Sequence, residues 1–124
     1  MTDYDQSWCD ALAEQVGDAV GEGVDPVVLY VITETDEGKV AFHMALHDGR
    51  PVHVTSGKLP RGQKPDITVT IKEPVLRSIW SGELARDAAF MAGDIKVEGA
   101  YQRWLDELVP LFSTGPWVDA WSSQ

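Results

Sequence analysis

The chain has 124 residues, of which 44% are apolar and 24% charged, and its net charge at pH 7 is −10. These values are typical of one soluble domain, expected over residues 1–124, and they exclude nucleic acid as an expected partner because its phosphates are bound by cations. No apolar run approaches the ~20 residues of a membrane span and the acidic N-terminus lacks a secretion signal, so we expect a cytoplasmic protein.

The first half of the chain predicts one helix and four strands. Large apolar residues at a spacing of four predict an amphipathic helix that Thr2 or Asp3 caps and that ends near Val20. A lone thiol, Cys9, lies in it and is expected to be inert packing. Strands are then predicted, from β-branched content or from apolar residues that alternate with polar ones, over Val27–Thr35, Lys39–His47, Pro51–Ser56 and Ile67–Lys72.

The second half of the chain predicts helices with one short strand between them. Glu73-Pro74 opens a helix that Gly82 ends, a short helix covers Leu84–Ala92, and a strand follows over Asp94–Glu98. The last helix begins near Ala100, and Pro110 should kink or stop it. We therefore predict an α+β fold: one curved, mainly antiparallel sheet of about five strands, with helices packed on one face.

The order of these elements resembles a known family. The strand ending in D-I-T-V-T-I, the helix that ends in a glycine, and the segment G-E-L-A-R-D-A-A-F-M-A-G-D-I-K-V-E-G are similar to the sterol carrier protein type-2 family. The resemblance is clearest over Asp66–Phe112 and weaker over Val27–Ser56. Ala100 departs from the family's pattern, which often has Asp or Asn after the last glycine, so the helix there lacks an expected cap.

The second half is rich in large apolar side chains, which either fill a core or line a cavity. The resemblance implies the cavity, between the sheet and the helices, and with it non-catalytic binding or transfer of a sterol-like, acyl-chain or other apolar ligand. No cofactor, metal or catalytic residue is expected. The predicted ligand-binding residues are Phe42, Met44, Ile67, Val69, Ile71, Leu76, Ile79, Trp80, Phe90, Met91, Trp104, Leu105, Leu108, Phe112 and Trp117.

The alternative function is an enzyme of the isomerase or cyclase type that uses the same cavity. A dry pocket with one buried ionisable group can transfer protons. The groups that would distinguish an enzyme from a carrier are Tyr30, Tyr101, His43 and His53, if one of them lies in the cavity without a structural partner.

Three histidines could share one face of the sheet. With a three-residue hairpin loop, Met44 faces Val54, and His43, His47 and His53 all point away from the core. They could then ligate zinc, although a wetter face with three titrating histidines is favoured because no carboxylate or cysteine completes a ligand set. A two-residue loop would move His53 to the inner face.

Two further segments have open interpretations. Trp117 and Trp121, four residues apart, form a ridge that either closes the mouth of the cavity or contacts a second chain in a homodimer. The basic loop Lys58–Lys64 either solubilises the chain or meets an anionic head group.

Overall fold

A computed structural model describes residues 4–16, 23–112, 117 and 120. The elements, in chain order, are α1 (Gln6–Val16), β1 (Val27–Thr35), β2 (Gly38–His47), β3 (Arg50–Ser56), β4 (Ile67–Lys72), α2 (Glu73–Trp80), α3 (Arg86–Met91), β5 (Ile95–Gly99), α4 (Tyr101–Arg103), a π-helical turn (Trp104–Leu108) and α5 (Val109–Phe112). The predicted α+β fold is confirmed, and all five strands lie within two residues of their predicted bounds.

The five strands form one sheet in the order β3-β2-β1-β4-β5. Neighbouring strands are antiparallel except β1 and β4, which are parallel. Tyr30 of β1 lies opposite Phe42 of β2 and Val69 of β4, so these three side chains share the inner face. All three are buried. The alternation in the sequence therefore identified the core face of the sheet correctly.

Of the two loop lengths that the sequence left open, the β2–β3 hairpin has the two-residue one. His47 lies opposite Arg50, so the turn contains only Asp48 and Gly49, both with positive φ, as a type I′ turn requires. A bulge after Ala45 shifts the register of the two strands, so that Met44 pairs with Val54 even though the turn has only two residues. The same bulge leaves Val52 55% exposed. The bulge places the backbone of His53 opposite Ala45, and its side chain lies outside what the structure describes.

The first helix begins later than predicted, and its cap is Asp5. The Asp5 carboxylate accepts a hydrogen bond of 2.9 Å from the backbone N–H of Trp8, which is the third residue along the helix. Trp8, Leu12 and Val16 form the buried stripe, as their spacing predicted. The proposed caps Thr2 and Asp3 and the predicted end near Val20 lie outside the described residues.

The last helix changes its winding before the proline. Five residues, Trp104–Leu108, form a π-helical turn, and the α-helix then continues through Pro110 to Phe112. A proline lacks the N–H that an α-helical bond needs, and a wider turn directly before it is a common way to accommodate such a defect. Pro110 therefore does not stop the helix. Tyr101, at the start of this helix, is 54% exposed.

Glycines end three elements as predicted. Gly82, Gly93 and Gly99 all have φ near +84°, a conformation that costs glycine nothing. At Gly99 a Cβ atom would also collide with the backbone carbonyl of Asp66, which accepts a hydrogen bond from Ala100 N–H. Ala100 caps the following helix with no side-chain hydrogen bond, as expected from its departure from the family pattern.

Candidate functional site

Aromatic side chains cover the inner face of the sheet next to α1 and α2. Trp8 lies 5.0 Å from Phe42 and 6.0 Å from Trp80, measured between ring centroids. Phe42 in turn stacks on Tyr30 at 5.0 Å. Tyr4 is also in this cluster, and its hydroxyl donates a 2.8 Å hydrogen bond to Glu73 at the start of α2. Trp8 lies on the apolar stripe that the sequence predicts for the first helix, but no sequence pattern connects Tyr4 or Trp8 with the site.

A cleft of about 240 Å³ opens beside this cluster, between α2, the turn after it, α3 and α5. Its described lining is mostly apolar and comes from distant parts of the chain: Ile79, Trp80, Gly82, Leu84, Ala85, Arg86 and Phe112. Ile79, Trp80 and Phe112 were predicted as ligand-binding residues. The cleft therefore lies where the two predicted helical segments, 74–92 and 100–112, meet.

Arg86 is the one charged residue in the described lining of the cleft. Its side chain is only 7% exposed, and its guanidinium carbon lies 5.3 Å from the centre of the Phe112 ring. This is a cation–π contact. Burial lowers the pKa of the guanidinium, while the interaction with Tyr30 acts in the opposite direction. Arginine remains charged even so, and the cleft thus combines apolar walls with one cation.

Arg86 was not among the residues predicted from the sequence to bind a ligand. The only signal was a single basic residue inside an apolar segment, four positions before Phe90 and hence on the same helical face. Its contact with Phe112 joins residues that are far apart in the chain, and no local pattern indicates that contact.

Most of the other predicted ligand-binding residues lie in the protein interior. Those that are buried are Phe42, Met44, Ile67, Val69, Ile71, Leu76, Trp104, Leu108, Phe112 and Trp117. Those that are partly buried and packed against the core are Ile79, Trp80, Phe90 and Leu105. Their positions fit a continuous apolar interior, of which the cleft is the open part.

Met91 lies elsewhere: it is 81% exposed. It is the last residue of α3, whose buried side is formed by Arg86 and Ala89. Residues three apart share a helical face, and Met91 falls on the opposite one. The structure therefore places Met91 on the surface rather than in an interior wall.

The C-terminal segment contacts the sheet through Trp117. This side chain is fully buried, its ring centroid lies 4.7 Å from that of Phe112, and its indole N–H donates a 2.9 Å hydrogen bond to the carbonyl of Gly49. Trp117 thus links a lining residue of the cleft with the β2–β3 turn. Trp121, its predicted companion, lies outside the described residues, and both the lid and the dimer remain predictions.

Trp104 contributes a buried donor to the interior. It is fully buried, its ring lies 5.2 Å from that of Phe90, and its indole N–H has no hydrogen-bond partner among the described residues. A buried donor without an acceptor is costly, so such groups are informative about function. Trp104 also begins the π-helical turn, and turns of this kind are frequent at functional sites.

The groups that would distinguish an enzyme are dispersed. Tyr101 is exposed, and His43 lies on the outer face, where it bonds to the Gly57 carbonyl. Tyr30 is buried, and burial raises the pKa of its phenol, which keeps it neutral. Within residues 4–16 and 23–112, no cluster of three His, Cys, Asp or Glu side chains could hold a metal ion. None of the helices in these ranges has the length and apolar character that a bilayer crossing requires.

Comparison with known proteins identifies a family. The model of the SCP-2 sterol transfer family matches residues 10–104. A solution structure from Thermus thermophilus, described as possibly a sterol carrier protein, superposes with a TM-score of 0.75 at 11% identity, over 99% of this chain and 90% of that one. No curated protein matches the sequence significantly.

Two further solved structures show the same fold in different settings. Palmitated SCP2L2 from Aedes aegypti has a TM-score of 0.66 at 20% identity, over 88% of this chain and 94% of that one. The sec-alkylsulfatase Pisa1 from Pseudomonas sp. has a TM-score of 0.57 at 24% identity, over 84% of this chain but only 15% of that one. At these identities the likeness concerns the fold.

Proposed function

Since the chain belongs to the SCP-2 sterol transfer family, we propose that it binds or transfers an apolar small molecule without catalysis, in the cleft between α2, α3 and α5. Residues 1–124 act as a single domain in this proposal. The observation on which it rests is the mostly apolar lining of the cleft beside one buried cation. Such a combination is typical of ligand sites, where apolar walls give affinity and a few polar groups give orientation.

The size of the cleft favours an acyl chain over a sterol. Pockets that enclose drug-sized ligands are roughly 300–1,000 Å³, and this cleft is about 240 Å³. A narrow, flexible chain can enter such a space and extend between the partly buried side chains behind it, whereas a rigid ring system requires more room at once. The palmitated state of the Aedes aegypti protein supports the same ligand class. Each buried methylene would contribute about 0.8 kcal/mol.

Arg86 would bind the polar end of that ligand. A carboxylate near its guanidinium forms a charge-assisted hydrogen bond, and the apolar surroundings weaken competition from water. The proposed ligand is therefore an amphipathic acid, with its carboxylate at the cleft and its chain toward the core.

Fluorescence titration with a fatty acid that has a fluorescent acyl chain tests this proposal. We expect saturable binding with a dissociation constant in the micromolar range or below. Ile79→Asp should abolish it, because a carboxylate in the lining is costly to bury against a chain. The matched control is Met91→Asp, which places the same charge on the exposed end of α3 and should leave binding unchanged. Circular dichroism must show that both variants fold.

A second comparison tests the role of Arg86. Arg86→Met should weaken binding of the acid about tenfold and leave its methyl ester nearly unaffected, since only the acid forms the charge-assisted bond. Arg77→Met, at an exposed position on α2, is the control and should change neither. Equal binding of acid and ester by the parent protein would remove the carboxylate from the proposal. If a folded Ile79→Asp variant binds the fatty acid as tightly as the parent protein, the cleft is not the binding site.

A further inference from the structure

We propose a second ligand site, on the opposite face of the sheet, for a small organic anion that has an apolar body and a hydrogen-bond donor. The site is a pocket of about 380 Å³ between the outer side of the β1–β3 strands and the loop of residues 57–65. It is separated from the acyl-chain cleft by the sheet itself, because its lining residue His43 alternates with the inward-pointing Phe42 and Met44. This site does not depend on the function proposed above.

Both ends of the loop over the pocket are fixed by backbone hydrogen bonds. At one end, Gly57 N–H donates to the carbonyl of Ala41 at 2.8 Å. At the other, Asp66 N–H donates to the carbonyl of Val27 at 2.8 Å, and the Asp66 carboxylate accepts a 2.8 Å hydrogen bond from Val27 N–H. A loop fixed at both ends holds its lining side chains in place, which lowers the entropy cost of binding a ligand.

His43 has a defined proton arrangement in this pocket. Its Nδ1 lies 2.9 Å from the carbonyl oxygen of Gly57. A carbonyl can only accept, so Nδ1 holds the proton of the neutral ring and Nε2 is left as an acceptor. The pocket thus offers an oriented acceptor, which suits a ligand hydroxyl or amide N–H.

The loop gives the pocket a positive charge in an acidic protein. Lys58 lines the pocket, and Arg61 and Lys64 lie in the same loop, whose residues 57–65 include no Asp or Glu. Among the described residues, Lys58 forms no ion pair. The nearest carboxylate in the chain, Asp66, is already bonded to Val27 N–H. An anionic group on a ligand would therefore find Lys58 available and no fixed negative charge in the loop.

The remaining lining residues are four apolar ones and the polar Thr55 and Gln63, and the apolar ones select an apolar body of limited size. Val27 and Ala45 form part of the strand side, and Leu59 and Pro60 form part of the loop side. Opposed apolar surfaces of this kind suit a flat or compact ring, with its polar groups at His43 and Lys58. The ligand class is therefore a small cyclic or aromatic acid with a hydroxyl group, rather than a long acyl chain.

The test titrates three related probes into the protein and monitors each titration by two-dimensional amide NMR. The probe 4-hydroxybenzoate has the acid and the hydroxyl, benzoate lacks the hydroxyl, and 4-hydroxybenzamide lacks the charge. We expect saturable shifts centred on residues 57–59 and His43 with 4-hydroxybenzoate. Loss of the hydroxyl should weaken binding about fivefold, and loss of the charge by a similar factor.

Lys58→Gln and its matched control Lys64→Gln complete the test. Both lysines are exposed residues of the same loop, so both variants should fold, and only Lys58 lines the pocket. Lys58→Gln should weaken the binding of 4-hydroxybenzoate about fivefold and leave the binding of 4-hydroxybenzamide unchanged. Lys64→Gln should change the binding of neither probe. The proposal is overturned if no probe gives saturable shifts, if the shifts centre on Ile79 and Phe112 instead, or if the two variants have equal effects.

Discussion

Single residues in this fold have roles that depend on what surrounds them. Gly99 lies at the end of β5 with φ of +84°, directly against the backbone of Asp66. Arg86 is a charge held against an aromatic ring, and Cys9 is a thiol enclosed by the core. Burial therefore moves the pKa of the Arg86 guanidinium and that of the Cys9 thiol away from the values usual for these residue types.

Gly99→Ala should be strongly destabilising. The new Cβ collides with a backbone carbonyl that cannot move alone, and the positive φ adds strain of about 1–3 kcal/mol. Gly62→Ala is the matched control, because Gly62 also has positive φ but a Cβ there would meet nothing within 4 Å. Urea denaturation should show a clearly larger loss for Gly99→Ala. Equal losses would mean that strain alone, and not the contact with Asp66, accounts for the effect.

Cys9 should be unreactive in the folded protein. Burial, with smaller contributions from Asp10 and Asp5, raises the pKa of its thiol to about 12, so the reactive thiolate does not form near pH 8. The unfolded chain ionises near the usual value of about 8.5. Stability should therefore fall as pH rises from about 8.5 toward 12, and Cys9→Ala should flatten that slope. Rapid labelling of the native protein by a thiol reagent at pH 8 would contradict this expectation.

At the scale of elements, the sequence predicts the helices and strands better than the contacts between them. Alternation identified the inner faces of β2 and β4, because a period of two has one consistent structural meaning. The bulge after Ala45 was not predictable, since it follows from reconciling a two-residue turn with the pairing of Met44 and Val54. The cleft was predictable only in its location, because Arg86 and Phe112 meet through the packing of separate helices.

The segment after α5 should stabilise the fold through Trp117. Trp117→Phe keeps much of the contact with Phe112 but removes the hydrogen bond to the Gly49 carbonyl, which leaves a buried acceptor. We expect a loss of about 1–3 kcal/mol. Trp117→Ala should cost about 3–5 kcal/mol because it also creates a cavity. Thermal unfolding measures both. If Trp117→Phe is as stable as the parent, the hydrogen bond has no role in holding this segment.

The same segment tests the lid against the dimer. Truncation after Thr114 should speed ligand release from a protein of unchanged mass if the segment covers the cleft. A lower mass by light scattering would instead indicate a dimer contact. If neither release nor mass changes, the segment contributes only its packing and the hydrogen bond from Trp117 to Gly49.

For the whole molecule, the sheet separates two proposed ligand sites of different character. The helical side has the mostly apolar cleft with the buried Arg86, and the other side has the pocket under the basic loop. The net charge of −10 makes the three cations of that loop a local exception, which favours small anions at that face. On the helical side, family membership and geometry point to the same apolar ligand, and binding there is the central claim.

Methyl NMR of the protein titrated with palmitate tests that claim most directly. We predict saturable one-to-one binding, with shifts of the Ile79 and Leu84 methyl groups that lie in the cleft. The methyl groups of Val52, which is 55% exposed on β3, should not shift. Saturable binding with shifts confined to the outer pocket, or no saturable binding at all, would contradict the claim.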